Sequence, residues 1–153
     1  ALMRTDARTK ALNETIAELL TLEQPRRHFA AMMSGLDIRY DLGDGHPLLG
    51  RRMPDLDIVV GEGRVRVFTL LHEARPVLLD FGVNSSFDIT PWGKRIRLVN
   101  ASYDGKWELP ALGEVSAPTA VLIRPDGYVA WIGERNWSQL TASLAAWFGK
   151  GYV

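Results

Sequence analysis

Two short, almost wholly apolar runs constrain this chain more than any other feature: residues 76–81 (PVLLDF) and 96–101 (IRLVNA). A strand with one wet face alternates polar and apolar residues, whereas a near-continuous apolar strand is covered on both faces. The spacer between the runs is long enough for a crossover connection. Residues 120–123 and 128–132 read as a further strand pair joined by Arg124-Pro125-Asp126-Gly127, because Asp-Gly tolerates the positive φ of a tight hairpin turn. Leu140, Leu144, Trp147 and Phe148 then form a helical stripe, with Asn136 as its cap and Gly149 as its stop. Strand, crossover, strand, hairpin, helix is a small open α/β sheet. Ahead of it, residues 56–60 form a short strand candidate that Gly61-Glu62-Gly63 can turn back, and the apolar stretch 65–71 has room for a short helix.

The first third is helical. Leu12, Ile16, Leu19 and Leu20 follow the i, i+4, i+7, i+8 spacing of an amphipathic helix running from about residue 7 to 22, with Asp6 as N-cap. Pro25 sits where a second helix can begin. Phe29, Met32, Met33 and Leu36 give that helix an apolar face, and Gly35 ends it. Residues 41–47 (DLGDGHP) are a turn-rich linker. The expected division is residues 1–45 for the helices and linker and 46–153 for the α/β domain. Leu12, Ile16, Phe29 and Met33 need a surface to cover: either this domain or others outside the chain. In the second case the isolated chain exposes a hydrophobic patch and self-associates.

Composition narrows the function. The 153 residues suit one domain with an appendage, and a chain of that size buries about 70% of its unfolded surface. Eighteen basic residues balance eighteen acidic ones, so charge gives no reason to bind nucleic acid or an anionic membrane. There is no cysteine, which excludes a disulfide, a thiol nucleophile, an iron–sulfur cluster and cysteine-ligated zinc. No apolar run approaches the roughly 18 residues of a membrane span. The first ten residues, ALMRTDARTK, are polar and charged, unlike a signal peptide, and a cytoplasmic setting is expected. A chain that starts at Ala1 and runs almost at once into helix reads as a piece of something longer.

Conventional sites are weak. His28, His46 and His72 lack metal-ligand spacing, and His72-Glu73 is followed by Pro76 where a zinc-protease helix needs its second histidine. There is no Gly-x-Ser-x-Gly elbow, and Gly61-x-Gly63 lacks the third glycine of a dinucleotide fingerprint. Sequons at Asn13, Asn84, Asn100 and Asn136 mean little without a secretion signal. Of the five tryptophans, Trp131 and Trp147 lie in a strand and a helix and read as core. Trp92 and Trp107 lie in loop-like sequence, where they either face a partner or ligand or tuck onto the domain's own core.

The element order resembles thioredoxin, and so does Ser116-Ala117-Pro118-Thr119 just before the hairpin, where that fold carries a cis-proline. The resemblance makes Ala117–Pro118 a cis candidate. In thioredoxin a Cys-x-x-Cys pair follows the strand corresponding to 76–81. Here the sequence is Gly82-Val83-Asn84-Ser85-Ser86-Phe87, and serine supplies no thiolate for disulfide exchange. Met53-Pro54-Asp55-Leu56 suggests peroxiredoxin, which fails for the same reason.

Four segments together resemble one family. They are Ser34-Gly35-Leu36-Asp37-Ile38-Arg39-Tyr40, residues 46–56 (HPLLGRRMPDL), residues 74–82 (ARPVLLDFG) and residues 117–131 (APTAVLIRPDGYVAW). This is similar to the C-terminal region of the single-component FAD-dependent aromatic hydroxylases, closest to the aromatic-polyketide branch and more distantly to phenol hydroxylase. The resemblance implies a thioredoxin-like domain without redox cysteines. It would follow FAD-binding and substrate domains that use FAD and a nicotinamide cofactor, NADH or NADPH, for hydroxylation. Gly43-Asp44-Gly45-His46-Pro47 and Asp126-Gly127 lack the setting of the family's FAD motifs, and the N-terminal Gly-x-Gly-x-x-Gly is missing, so no cofactor, catalytic or metal residue carries over. The implied role is structural: capping the missing FAD and substrate domains, or forming a homodimer. The alternative is a freestanding thioredoxin-fold binding protein using the face around Ser85, Trp92 and Pro118.

Overall fold

The computed structural model describes residues 6–82, 87–109, 112–133 and 137–151. It is an α/β protein whose central four-stranded sheet is preceded by a helical pair.

The first helix, α1 (Ala7–Thr21), starts at Asp6, whose side chain accepts the Thr9 N–H at 2.9 Å. The second, α2 (Glu23–Ser34), follows after Leu22 and ends at Gly35, with φ +71°. Pro25 is the third residue of α2 rather than the first. It is tolerated there because no N–H of the first turn has an intrahelical acceptor.

The linker leads to a hairpin of β1 (Asp57–Val60) and β2 (Gly63–Arg66), then a 3-10 turn over Val67–Leu71. The apolar run at 76–81 contains β3 (Val77–Asp80), in which every residue is buried. The run at 96–101 contains β4 (Arg97–Asn100), parallel to β3. Among the described residues the crossover between them carries only a 3-10 turn, Thr90–Trp92. Two-residue strands, β5 (Glu108–Leu109) and β6 (Gly113–Glu114), form a small arm absent from the sequence reading. A hairpin of β7 (Ala120–Ile123) and β8 (Val129–Ile132) completes the sheet, and α3 (Trp137–Phe148) returns across it. Asn136, the expected cap of α3, lies outside the described residues. The sheet order is β4-β3-β7-β8, with β7 antiparallel to both neighbours. That is the thioredoxin-like order.

Both faces of the central strands β3 and β7 are buried, as a near-continuous apolar run requires, whereas the edge strand β4 leaves Arg97 and Asn100 exposed, against the expectation for residues 96–101. One face, through Val77, Leu79, Val121 and Ile123, packs under the β1–β2 hairpin, the 3-10 turn and the arm. The other, through Leu78, Leu122 and Trp131, packs against Leu140 and Leu144 of α3 and the crossover residues Phe87, Ile89, Trp92 and Ile96. The crossover also clamps the end of α3. Trp92 Nε1 donates to Gly149 O at 2.8 Å, and Arg95 donates to the carbonyls of Phe148 and Lys150, which have no acceptor role within the helix.

Three expectations are corrected. No peptide bond among the described residues is cis, so Ala117–Pro118 is trans. Pro118 leads directly into β7, a position that accepts proline in its ordinary trans form, while the flanking Thr119 carbonyl receives the Phe81 N–H. Trp92 and Trp107 face neither partner nor solvent: they are 5% and 4% exposed. Trp92 fills the α3 side of the sheet, and Trp107 meets the rings of Phe81 and Tyr103 edge-on at 5.3 and 5.7 Å. Trp147, expected in the core, is exposed instead, with the Arg124 guanidinium 4.4 Å from its ring centre. Ser85 lies outside the described residues.

Candidate functional site

The part of the molecule that calls for a partner is the junction between the helical pair and the sheet. Residues 37–53 act as a buckle. Arg51 donates to the backbone and carboxylate oxygens of Asp37, both at 3.2 Å, and Arg39 reaches the carbonyls of Leu49 and Gly43. The Tyr40 N–H donates to Gly50 O at 2.9 Å. Gly50 has φ +76°, and a Cβ there would lie 2.1 Å from Tyr40 O, so only glycine fits. The strap is sewn to the β7–β8 hairpin by Gly50 N–H to Val129 O, Val129 N–H to Arg51 O, and Met53 N–H to Gly127 O. Tyr40 packs edge-on to Tyr128 at 4.9 Å, and Arg124 lies between the rings of Tyr40 and Trp147.

His46 belongs to the same buckle. Its Nδ1 accepts the Leu48 N–H at 3.1 Å, and its Nε2 lies 2.8 Å from Ser116 O, an acceptor. Both contacts are satisfied only by the neutral Nε2–H tautomer. Further along, Asp55 accepts from Phe68 N–H and from Arg66, and that bond raises the Arg66 pKa above its ordinary value.

The helical pair leads into this buckle, and α2 is mostly exposed on its polar and its apolar stripe alike. Gln24, Arg27, His28 and Ala31 form one i, i+3, i+4, i+7 stripe, and they face the β5–β6 arm across a groove of about 390 Å³. Ala31 is buried. The complementary stripe is the apolar one expected from the sequence, and it points away from the sheet: Phe29 is 41% and Met33 89% exposed. On α1, Leu12, Ile16, Leu19 and Leu20 are all exposed, and no residue of the helix is buried. Of the interface candidates, the structure thus leaves Leu12, Ile16, Phe29 and Met33 on the surface and removes Trp92 and Trp107 into the core.

Next to the groove lies a second cleft of about 280 Å³, lined by Leu36, Met53, Pro54, Phe68, Leu109 and Leu112, with Arg51, Arg52, Asp55 and Glu108 around it. Among the described residues no His, Asp and Glu trio is placed to hold a metal ion. No helix among them is long and apolar enough to cross a membrane.

The chain thus combines a cysteine-free, thioredoxin-like sheet with attached helices whose apolar residues are exposed. Comparison with known proteins gives this combination a family. The profile of the aromatic-ring hydroxylase C-terminal family matches residues 46–151, and the chain belongs to that family. It is 38% identical over 148 residues to the 12-dehydrotetracycline 5-monooxygenase/anhydrotetracycline 6-monooxygenase of Streptomyces rimosus, covering 94% of this chain and 29% of that protein. It is 35% identical to the rifampicin monooxygenase of Streptomyces venezuelae, over 97% of this chain and 28% of that one. Among solved structures, CabE, an aromatic hydroxylase from angucycline biosynthesis, superimposes with a TM-score of 0.80 at 41% identity, over 96% of this chain and 30% of its own. The chain therefore spans a little under a third of the length of these relatives.

Proposed function

We propose that this chain is the C-terminal, non-catalytic module of a flavin-dependent aromatic or polyketide hydroxylase, a cytoplasmic monooxygenase. In this reading FAD and a nicotinamide cofactor, NADH or NADPH, are bound by upstream FAD and substrate domains. Residues 46–153 form the thioredoxin-like unit, and residues 1–45 join it to those domains. The module caps and stabilises them or brings two copies together.

The observation that carries the reading is the exposure of the apolar residues of the helical pair, Leu12, Phe29, Met32 and Met33 among them. Helices whose apolar stripes stay uncovered on their own domain fit a hydrophobic partner elsewhere. The exposure of α1 supports this, since it packs only lightly, against α2, and a 15-residue helix with little tertiary packing is marginal in water. Relatives bearing the same region are named for tetracycline and rifampicin chemistry, which agrees with a module that does not select the substrate.

The test is to produce the 153-residue chain and follow its mass by light scattering over a wide concentration range, with an absorbance scan for flavin. The expected result is colourless protein that self-associates, and a F29K/M33K variant that does not. A yellow, stoichiometric FAD complex overturns the non-catalytic reading; a strictly monomeric wild-type chain overturns the uncovered-face argument.

A further inference from the structure

Three Asp-Gly pairs lie outside the regular strands and helices, Asp44-Gly45, Asp104-Gly105 and Asp126-Gly127, and the fold restrains them unequally. At Asp126-Gly127 the reacting groups are all held. The Gly127 N–H donates to Arg124 O at 2.9 Å, and the Asp126 carboxylate accepts the Tyr128 N–H and an Arg124 guanidinium N–H. At Asp104-Gly105 the Tyr103 ring lies against the glycine, where a Cβ would fall 2.6 Å from ring carbon Cζ, and its hydroxyl closes the turn on Lys106 O at 3.1 Å. Asp44-Gly45 is the unheld tip of the strap. Its flanks are pinned: the Gly43 N–H donates to the Asp41 carboxylate, Gly43 O accepts from Arg39, and His46 is fixed by the Leu48 N–H and Ser116 O. Between these flanks both residues are exposed, and neither the Asp44 carboxylate nor the Gly45 N–H has a hydrogen-bond partner among the described residues.

An aspartate followed by glycine carries both an electrophile and a nucleophile. Glycine has no side chain to screen its backbone nitrogen, and it reaches conformations closed to other residues. We propose that Asp44 is a site of spontaneous backbone isomerisation. The Gly45 nitrogen attacks Asp44 Cγ: the N–Cγ bond forms, the Cγ–OH bond breaks, and the hydroxyl leaves with the nitrogen's proton as water, closing a succinimide. Water then adds to one ring carbonyl and breaks its bond to the nitrogen. Opening at Cγ restores aspartate. Opening at the main-chain carbonyl leaves the chain running through Cγ, an isoaspartate with one extra main-chain atom and the same charge. The rotation that brings the two groups together breaks no hydrogen bond of the Asp44 carboxylate or the Gly45 N–H, whereas at Asp126 it breaks three. One extra atom between Gly43 and His46 displaces His46 from the Leu48 N–H and Ser116 O, so the product loosens the buckle between the helical pair and the sheet. The site rests on the strap alone and is independent of the flavoenzyme reading.

The test is to age the 153-residue chain at physiological temperature and neutral pH and to quantify isoaspartate peptide by peptide. Mass spectrometry reads the succinimide as the loss of one water. An isoaspartyl methyltransferase, used as a reagent with S-adenosylmethionine, labels the freed α-carboxylate. Product is expected about tenfold or more faster at Asp44 than at Asp126, the share of the hydrogen bonds that keep the second site closed, with Asp104 between them. In urea the three rates should converge, because the fold makes the difference. Asp44→Glu, at an exposed position, should abolish product there, since its side chain must close a larger ring. Amide shifts of Leu48 and Ser116 should move as the Asp44 product accumulates and stay fixed in the aged Asp44→Glu chain. Equal rates at Asp44 and Asp126 in the folded chain, a difference that persists in urea, or unmoved Leu48 and Ser116 amides at high conversion would each overturn the proposal.

Discussion

The helical pair and the central sheet both carry regular apolar patterns but satisfy them in opposite ways. In the sheet, Val77, Leu78 and Leu79 alternate between two faces, and each face finds its cover within the same chain. In α1 and α2 the stripes are regular too, yet Leu12, Ile16, Phe29 and Met33 stay 39–89% exposed. Periodicity therefore states that a face will be buried without stating by what. The sheet is stabilised by its own packing; the helices are joined to it by a strap of hydrogen bonds and stacked rings, and their apolar stripes stay exposed.

The contrast is sharpest in what truncation should cost. Leu79→Ala removes a fully buried side chain from β3 and should destabilise the chain by about 2–5 kcal/mol in chemical denaturation. Met33→Ala deletes a side chain that touches little and should change stability by less than about 0.5 kcal/mol, while reducing self-association. Similar losses at the two positions would break the comparison, because α2 would then be part of the folded core.

The strap comes next. Gly50→Ala places a Cβ on Tyr40 O and demands φ +76° of alanine, so a cost of about 3 kcal/mol is expected. The loss should be local: protease cleavage in residues 41–45 should rise well before the sheet unfolds. Tyr40→Ala removes the Tyr128 contact and one side of the Arg124 sandwich, for about 1–2 kcal/mol, with faster amide exchange along residues 37–41 as the readout.

The sheet was legible because each device has a local signature: near-continuous apolar runs at 76–81 and 96–101, Asp-Gly at the β7–β8 turn, and Leu140 with Leu144 on α3. The β5–β6 arm was not, since Glu108–Leu109 and Gly113–Glu114 are too short to show any period. For Trp92 and Trp107 the sequence leaves surface and core both open, because it shows no regular strand or helix around them. Burial follows from what a turn packs against, and both turns lie on the sheet. The segments that carried the family resemblance prove largely structural: Asp37, Arg39, Tyr40, Gly50 and Arg51 are the buckle. The 280 Å³ cleft left no trace in the sequence, because Leu36, Phe68 and Leu112 are far apart along the chain and converge only once the arm is in place.

The smallest expected effect tests α1 by itself. The Thr9 backbone N–H holds the Asp6 carboxyl below its ordinary pKa of 3.8. A group whose folded pKa is lowered contributes stability above its unfolded value and loses it as pH falls through the folded one. The cap is therefore fully present at neutral pH and should fade from about pH 4 downward, with backbone shifts of residues 7–10 moving toward coil. Asp6→Ala should show that frayed start at every pH. Because no residue of α1 is buried, the sheet should not register the change. If Leu79 and Leu122 shifts followed Asp6 protonation, the helix would be coupled to the core, and the distinction between a self-covered sheet and a partner-dependent helix would not hold.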